Sequence, residues 1–272
     1  MLHDSSAHDS FSFLPFDFCV LSYNLFMYLS VIIPAYNEAE RIPKTLLAMD
    51  AYLSTVNYPY EILVVNDGSR DSTAEVVAKM AKVVKNLKLI DVKQNHGKGS
   101  VVRVGMLAAK GDIRLFMDAD NSTSVDQVAA MAPFFKEGYG VVIGSRAVPG
   151  AKLEPPESWY RRLIGKTLNL IVQVVLLPGI HDTQCGFKAY TAEVAEKVFD
   201  VARISTWGFD VETLALAKKF DYAIKEVPVR WVNDTRSHVK FSGGLQFLRD
   251  IVKIRWWLWV GAYKTLITEV FH

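Results

Sequence analysis

The sequence predicts an α/β fold: a mainly parallel, Rossmann-like sheet flanked by helices, followed by a C-terminal amphipathic helix. Three observations lead there. Between Leu29 and Ser145, short apolar runs alternate with helical stretches of about 10 to 15 residues, the pattern of crossover connections. The runs are almost continuously apolar, as strands covered on both faces must be. Polar clusters stand directly after several of them, where ligands bind in open α/β sheets.

The elements follow in order. Leu29–Ile33 is a β-branched run stopped by Pro34, which cannot donate to a ladder. Glu38 to Thr55 has helical spacing, with Ile42, Leu46, Leu47 and Met49 apolar. Glu61–Val65 is a second strand, and Asn66-Asp67-Gly68-Ser69 a turn. Ser72 is placed to cap a helix running through Lys85. Leu87–Val92 is a third strand, Gly97-Lys98-Gly99 opens a helix ending near Lys110-Gly111, and Asp112–Met117 is a fourth strand. Ser124 caps a further helix, and Tyr139–Ser145 is a fifth strand. Beyond a Pro/Gly-rich loop at 150–156 comes a helix carrying Arg161 and Arg162. His181–Tyr190 reads as loop then strand, a helix begins near Asp210, and Ala223–Trp231 is a strand whose Pro228 indicates a sheet edge. Asn233 to Gly244 is a polar loop. No second core and no internal repeat is evident.

Composition narrows the function classes. The chain has 272 residues, half of them apolar and 22% charged, which excludes a disordered or low-complexity protein. Its net charge of +2 gives no argument for nucleic acid as a partner. Two cysteines, Cys19 and Cys185, make neither a disulfide framework nor a zinc spacing, which leaves a reducing compartment as the default. The apolar stretch 11–33 is interrupted by Pro15, Asp17, Ser22 and Asn24, so it is no clean span of about 20 apolar residues, and residues 1–26 read as an accessory segment. The stretch 163–177 is short for a span and is either a buried helix or one with an apolar face toward lipid. At 245–263, Trp256, Trp257 and Trp259 accompany Arg249, Lys253 and Arg255, and helical spacing puts Arg249, Asp250 and Lys253 on one side. Tryptophan beside basic residues favours a membrane–water interface.

The chemistry concentrates after the strands. Asp118 and Asp120 stand at i and i+2 where the fourth strand ends, so in extended chain their side chains share one side. Two hard oxygen donors on one side suit Mg2+ or Mn2+, with positions left for water and phosphate oxygens. Asp67 has the same address on a neighbouring strand; it either accepts hydrogen bonds from a base or ribose or holds its own turn. Glu38 either belongs to the site or supports its helix as a first-turn acid. Lys98 is placed to steady phosphate at a helix N-terminus.

VIIPAYNE (31–38), VVNDGSRDST (64–73), NHGKGSVVRVGM (95–106), MDADNST (117–123) and VIGSR (142–146) together resemble the successive motifs of family-2 inverting glycosyltransferases of the GT-A fold. DTQCGFKAYT (182–191), WGFDVE (207–212), EVPVRW (226–231) and SHVK (237–240) are similar to the polyprenyl-phosphate sugar synthases, the dolichyl-phosphate glucosyltransferase type more than the mannose synthase type. The resemblance runs from about Leu29 to Tyr263. It implies a catalytic domain over 27–244, with a nucleotide-sugar half (27–150) and an acceptor half (151–244), and an interfacial helix over 245–272.

Carried across by position, the resemblance implies that Pro34, Tyr36 and Glu38 line the nucleotide site, and that Val65 and Asp67 contact base and ribose. Asp118, Ala119 and Asp120 would hold the diphosphate through the metal, and Ser122 stands where mannose synthases carry a glutamine metal ligand. Arg146 and Lys188 match basic residues near donor and acceptor phosphates. Arg161, Arg162, Arg230, Arg236 and Lys240 are further candidates for the acceptor phosphate. The implied reaction is metal-dependent, inverting transfer of a hexose, UDP-glucose being the preferred donor, to a polyprenyl or dolichyl phosphate by a membrane-associated enzyme on the cytoplasmic face. Alternatives are a GDP-mannose donor, a saccharide or protein hydroxyl acceptor with Asp210 or Glu212 as base, and a nucleotide-sugar binding protein without turnover. A phosphate acceptor is already anionic near neutral pH, which leaves Asp210 more an orienting group than a base.

Overall fold

The computed structural model describes residues 28–155, 159–232 and 241–264. Its centre is a seven-stranded sheet, taken here in chain order: β1 (Leu29–Ala35), β2 (Tyr60–Asp67), β3 (Leu87–Val92), β4 (Ile113–Met117), β5 (Val141–Ser145), β7 (Phe187–Thr191) and β8 (Ile224–Pro228). The spatial order is β3-β2-β1-β4-β7-β5-β8. β1 pairs in parallel with β2 and with β4, and β5 in parallel with β8. β7 runs antiparallel between β4 and β5, an insertion that the strand–helix alternation did not announce. Because β7 is reversed, its N-terminal end lies at the same sheet edge as the carboxyl ends of β4 and β5.

Side-chain alternation explains why the central strands are largely apolar. Val31, Ile33, Ile62, Val64, Leu115 and Met117 pack on one face against α1 (Ile42–Leu53), α2 (Thr73–Met80) and the segment ending in α4 (Ala132–Lys136). Ile32, Leu63, Val65 and Phe116 pack on the other against α3 (Lys98–Ala108), α6 (Ala192–Val201), α7 (Phe209–Lys219) and α8 (Phe241–Trp259). Each such side chain taken fully from water stabilises the fold by about 1.5–3 kcal/mol. α3 lies especially close to the sheet: a Cβ at Gly105 would fall 2.4 Å from a methyl of Ile32 and 2.9 Å from one of Val65.

Several boundaries differ from expectation for identifiable reasons. The first helix starts at Ile42, not Glu38, because Tyr36 to Glu38 remain in the loop above β1. The helix expected through Lys85 ends at Met80, and Ser72 makes no side-chain cap. Ser124 likewise does not cap: its hydroxyl is bonded to the Asp126 carboxylate, and Val125–Ala130 is a 3-10 turn. The strand expected over Ala223–Trp231 breaks after Pro228. That residue ends the edge strand β8, and the chain then pairs as β9 (Arg230–Val232) with β6 (Lys152–Glu154) in a separate two-stranded sheet.

α5 (Trp159–Val175) and α8 contact one another, and both keep apolar side chains in solvent. Leu163, Ile164, Leu170 and Val174 are exposed on α5; Leu245, Val252, Trp256 and Trp259 are exposed on α8, beside Arg249, Lys253 and Arg255. The expectation that Asp250 shares one side with Arg249 and Lys253 is corrected, since those two are exposed and Asp250 is not. Asp250 is buried, where its carboxylate accepts bonds from Thr206 Oγ1 (2.5 Å) and Gln246 Nε2 (2.9 Å). Among the described residues, no helix is long and apolar enough to cross a membrane. The expectations for residues 1–26 and for Arg236 and Lys240 lie outside the described residues.

Candidate active site

One sheet edge gathers the chemistry. The loop after β1 brings Tyr36 and Glu38, the turn after β2 brings Asp67, and the turn after β4 brings Asp118 to Ser122. Lys98 arrives on the first turn of α3, Arg146 just beyond β5, Lys188 on β7 and Asp210 on the first turn of α7.

Asp118 and Asp120 are both partly exposed. The turn that carries them is held by Thr45 Oγ1, which donates to Ala119 O at 2.6 Å, and by Ser122 N, which donates to Asp120 Oδ1 at 2.9 Å. Asp118 N donates to Gly186 O at 3.1 Å, and a Cβ at residue 186 would sit 1.8 Å from Asp118 Oδ2, so only glycine lets β7 approach this carboxylate. Burial, reinforced by the neighbouring Asp118 charge, pushes the Asp120 carboxyl above the ordinary carboxylate range. Burial also raises Glu38, against the pull of Arg41, and the charges of Asp120 and Asp118 add to the rise.

These carboxylates repel one another at one place, and a divalent cation would relieve that repulsion. The donors are hard oxygens, as Mg2+ or Mn2+ requires. Among the described residues, no group of three or more His, Cys, Asp or Glu side chains forms a closed metal cage. Two carboxylates alone would leave a bound ion positions for phosphate and water oxygens. Ser122 is buried and acts through its backbone on Asp120. Asn121, next in chain and at φ 56°, has a buried Oδ1 with no hydrogen-bond partner.

Lys98 Nζ lies 2.5 Å from Asp118 Oδ1. Desolvation works against its charge, yet Asp118 and Asp210 outweigh it and hold the ammonium above its ordinary pKa. Its surroundings are aromatic: Nζ is 5.0 Å from the Trp207 ring centroid and 5.2 Å from that of Phe116. The N-terminus of α3 is less open than the sequence suggested, because Gly99 N already donates to Ser205 O at 2.8 Å.

Other nominated residues hold the scaffold. Asp67 is buried and accepts from Asn95 Nδ2 (3.1 Å), His96 N (2.8 Å) and Gly97 N (3.0 Å), so it fixes the loop leading into Lys98. The side chain of Val65 is fully buried in the core and Pro34 is buried within β1, whereas Tyr36 is 40% exposed and faces no such limit. Lys188 is fully buried: its ammonium donates to Asp210 Oδ1 and to Cys185 O, each at 2.5 Å. The expectation that Lys188 meets the acceptor phosphate is corrected accordingly, since its donors are turned to Asp210 with no exposed surface. Burial raises the Asp210 carboxyl, only partly opposed by Lys188 and Lys98. Glu212 accepts from Arg203 N, Ile204 N and Tyr263 Oη, which removes it as a candidate base.

Arg146 is clamped by Asp182: Nε donates at 2.7 Å and Nη2 at 2.9 Å, and the guanidinium lies 5.4 Å from the Trp231 ring. The Arg146 charge overcomes burial and holds the Asp182 carboxyl below the carboxylate range. Glu226 in turn accepts from His181 N and Asp182 N. Arg230 is exposed on β9, which is tied to the Asp118–Ser122 turn through Val232 N to Ser122 O at 2.8 Å. Arg161 and Arg162 fall in the first turn of α5, their side chains outside the described residues.

Sequence reasoning missed three participants. Trp207, inside the quoted WGFDVE motif but given no role, is 53% exposed beside Lys98. Asp182 and Gly186 were inside a quoted motif, but their roles depend on tertiary approach across the sheet, which spacing does not report.

With this geometry in hand, the comparisons with known proteins are specific. Residues 30–199 match the family model "Glycosyl transferase family 2", and the chain belongs to that family: it is a glycosyltransferase of the GT-A fold. It is 37% identical over 251 residues to a protein of Dictyostelium discoideum named dolichyl-phosphate beta-glucosyltransferase, covering 88% of this chain and 77% of that one. The human protein of the same name is 32% identical over 253 residues, with 87% and 77% covered. Among solved structures, mannosyl-3-phosphoglycerate synthase from Rubrobacter xylanophilus superposes with TM-score 0.65 at 19% identity, covering 88% of this chain and 77% of that one. Glucosyl-3-phosphoglycerate synthase from Mycobacterium tuberculosis, in complex with Mn2+, UDP and glucosyl-3-phosphoglycerate, superposes with TM-score 0.62 at 19% identity, covering 85% and 81%. At that identity the solved structures speak for the fold.

Proposed function

We propose that the protein transfers glucose from UDP-glucose to dolichyl or a related polyprenyl phosphate, with inversion, at the cytoplasmic surface of a membrane. The observation that carries the transfer chemistry is the carboxylate pair Asp118 and Asp120 at the end of β4, beside the Lys98 ammonium. The protein's dolichyl-phosphate beta-glucosyltransferase relatives support the lipid phosphate as acceptor and glucose as the sugar. Related folds solved with Mn2+, UDP and UDP-glucose support the donor and the ion.

In this reading Asp118 and Asp120 would hold Mg2+ or Mn2+, which would offset the charge that grows on the departing diphosphate. Tyr36 and Glu38 border the nucleotide, and Asp67 fixes the loop that presents Lys98. The acceptor phosphate oxygen forms a bond to the anomeric carbon as the bond to the diphosphate oxygen breaks. A phosphate monoester, with a second pKa near 6, is already an anion and has no proton to surrender to a base. This suits Asp210, which is enclosed and tied to Lys188. Arg146, its fork oriented by Asp182, and Arg230 on the neighbouring strand are assigned to align the acceptor phosphate for attack. The exposed apolar side chains of α5 and α8, with Arg249, Lys253 and Arg255, suit the headgroup region where a lipid phosphate resides.

The test is direct. Purified protein is incubated with UDP-glucose, dolichyl phosphate and Mn2+ or Mg2+, and the lipid fraction is read by mass spectrometry. A hexosyl phosphoryl dolichol is expected. Product with GDP-mannose alone, or with a sugar acceptor alone, would overturn the assignment.

A further inference from the structure

Lys98 and a divalent ion make competing claims on one oxygen. The ammonium is 2.5 Å from Asp118 Oδ1, and Asp118 is one of only two carboxylates that the β4 turn offers a metal. Two cations cannot share that oxygen closely without strong mutual repulsion, because the site is partly desolvated and screening by water is weak. Lys98 is also held from behind. The rings of Phe116, Trp207 and Phe209 surround its ammonium at 5.2, 5.0 and 6.0 Å, so it has a favourable seat even when its contact with Asp118 is weakened. An incoming nucleoside diphosphate supplies what the metal lacks, namely anionic oxygens that can take up the lysine.

We infer that Lys98 is a built-in counter-ion that opposes a metal binding alone and favours one arriving with a nucleoside diphosphate. The ammonium transfers from Asp118 to a phosphate oxygen as the ion engages the aspartates. Metal and nucleotide affinities are thereby coupled, each ligand strengthening the other through one side chain. The consequence is order: Asp118 stays paired with Lys98 until the donor arrives, and the lysine then moves to where charge develops on the leaving group. This inference rests on the metal-dependent reading above.

The probes are Mn2+ by itself, followed by electron paramagnetic resonance, and UDP by calorimetry in the presence and absence of Mn2+. Lys98→Met keeps an apolar stem for the aromatic seat and removes the charge; Lys98→Arg keeps the charge. The methionine variant is expected to bind Mn2+ alone about tenfold more tightly than the parent, and UDP with Mn2+ about tenfold more weakly, in the usual range for coupled ligands. The arginine variant is expected to stay close to the parent for Mn2+ alone. Unchanged or weaker Mn2+ binding by Lys98→Met, with a parental melting temperature, would overturn the inference while leaving the site reading intact. A lowered melting temperature with both affinities reduced in both variants would make Lys98 a structural brace and overturn it too. If the parent binds no Mn2+ even with UDP present, the site reading falls and the inference with it.

Discussion

At the residue scale, the site is a set of charges held close to one another by backbone contacts. Gly186 shows how tightly. Any side chain there collides with Asp118, so Gly186→Ala is expected to cut turnover by at least about tenfold through a displaced carboxylate, with a much smaller change in melting temperature. Equal loss of stability and turnover would instead mean that β7 has been dislodged. The buried pair Lys188–Asp210 makes the opposite kind of prediction. Lys188→Met leaves a buried carboxylate without its cation and is expected to destabilise the protein by about 3–5 kcal/mol, measured by denaturant unfolding. Adding Asp210→Asn to that variant should recover part of the loss, since the uncompensated charge is then gone.

The residues legible in sequence were those whose position along a strand already states their role. Asp118 and Asp120 close an apolar strand in a βα series, and their place at the sheet edge follows from that alone. Lys188 and Asp67 carried the same kind of address but look inward. Whether a side chain faces ligand or scaffold depends on neighbours such as Asp210 and the His96–Gly97 backbone, which are distant in sequence. Trp207 was passed over for the complementary reason, since an aromatic residue just before a helix is as often core as surface.

At the element scale, β1, β2, β4 and β5 were readable because each is buried on both faces, which demands a largely apolar run. Boundaries slipped where a polar loop mimicked a helix start, as at Glu38, and where a proline split one strand between two sheets, as at Pro228. The reversed strand β7 was hidden because hydrophobicity says nothing about direction. α8 is the element with the sharpest division of faces. Its inner side is pinned by Asp250 to Thr206, beside the Trp207 turn, and its outer side bears Trp256 and Trp259 at 55% and 75% exposure. Trp256→Ser with Trp259→Ser is expected to weaken sedimentation with anionic phospholipid vesicles severalfold, at unchanged UDP affinity. Asp250→Ala, in contrast, leaves the Thr206 hydroxyl without this partner and should cost about 1–3 kcal/mol of stability.

At the scale of the whole molecule, the charge distribution sets how pH acts. Asp182 and Glu61 have carboxyls held below their ordinary range: Asp182 by Arg146, and Glu61, in the face of its own burial, by Lys110 N–H, Lys88 and Ser30. A depressed folded-state pKa contributes stability above the unfolded value near 4 that is lost as pH falls through the folded value. The protein should therefore lose melting temperature progressively below about pH 4–5, and Asp182→Asn should flatten that limb. The donor site has the reverse sign. Asp120 and Glu38 are raised, so they take up protons at a higher pH than ordinary carboxylates, and UDP–Mn2+ affinity is expected to decline on acidification before the fold does. Affinity that falls only together with the thermal transition would contradict this.

The transfer chemistry itself depends on the acidic pair at the end of β4. The decisive measurement is UDP release in the presence of dolichyl phosphate and Mn2+ by Asp118→Asn and Asp120→Asn, with each variant's thermal transition recorded alongside. A fall of about a hundredfold or more in each, at a near-parental melting temperature, is the expected result. Parental turnover by either well-folded variant would show that the chemistry takes place without that carboxylate.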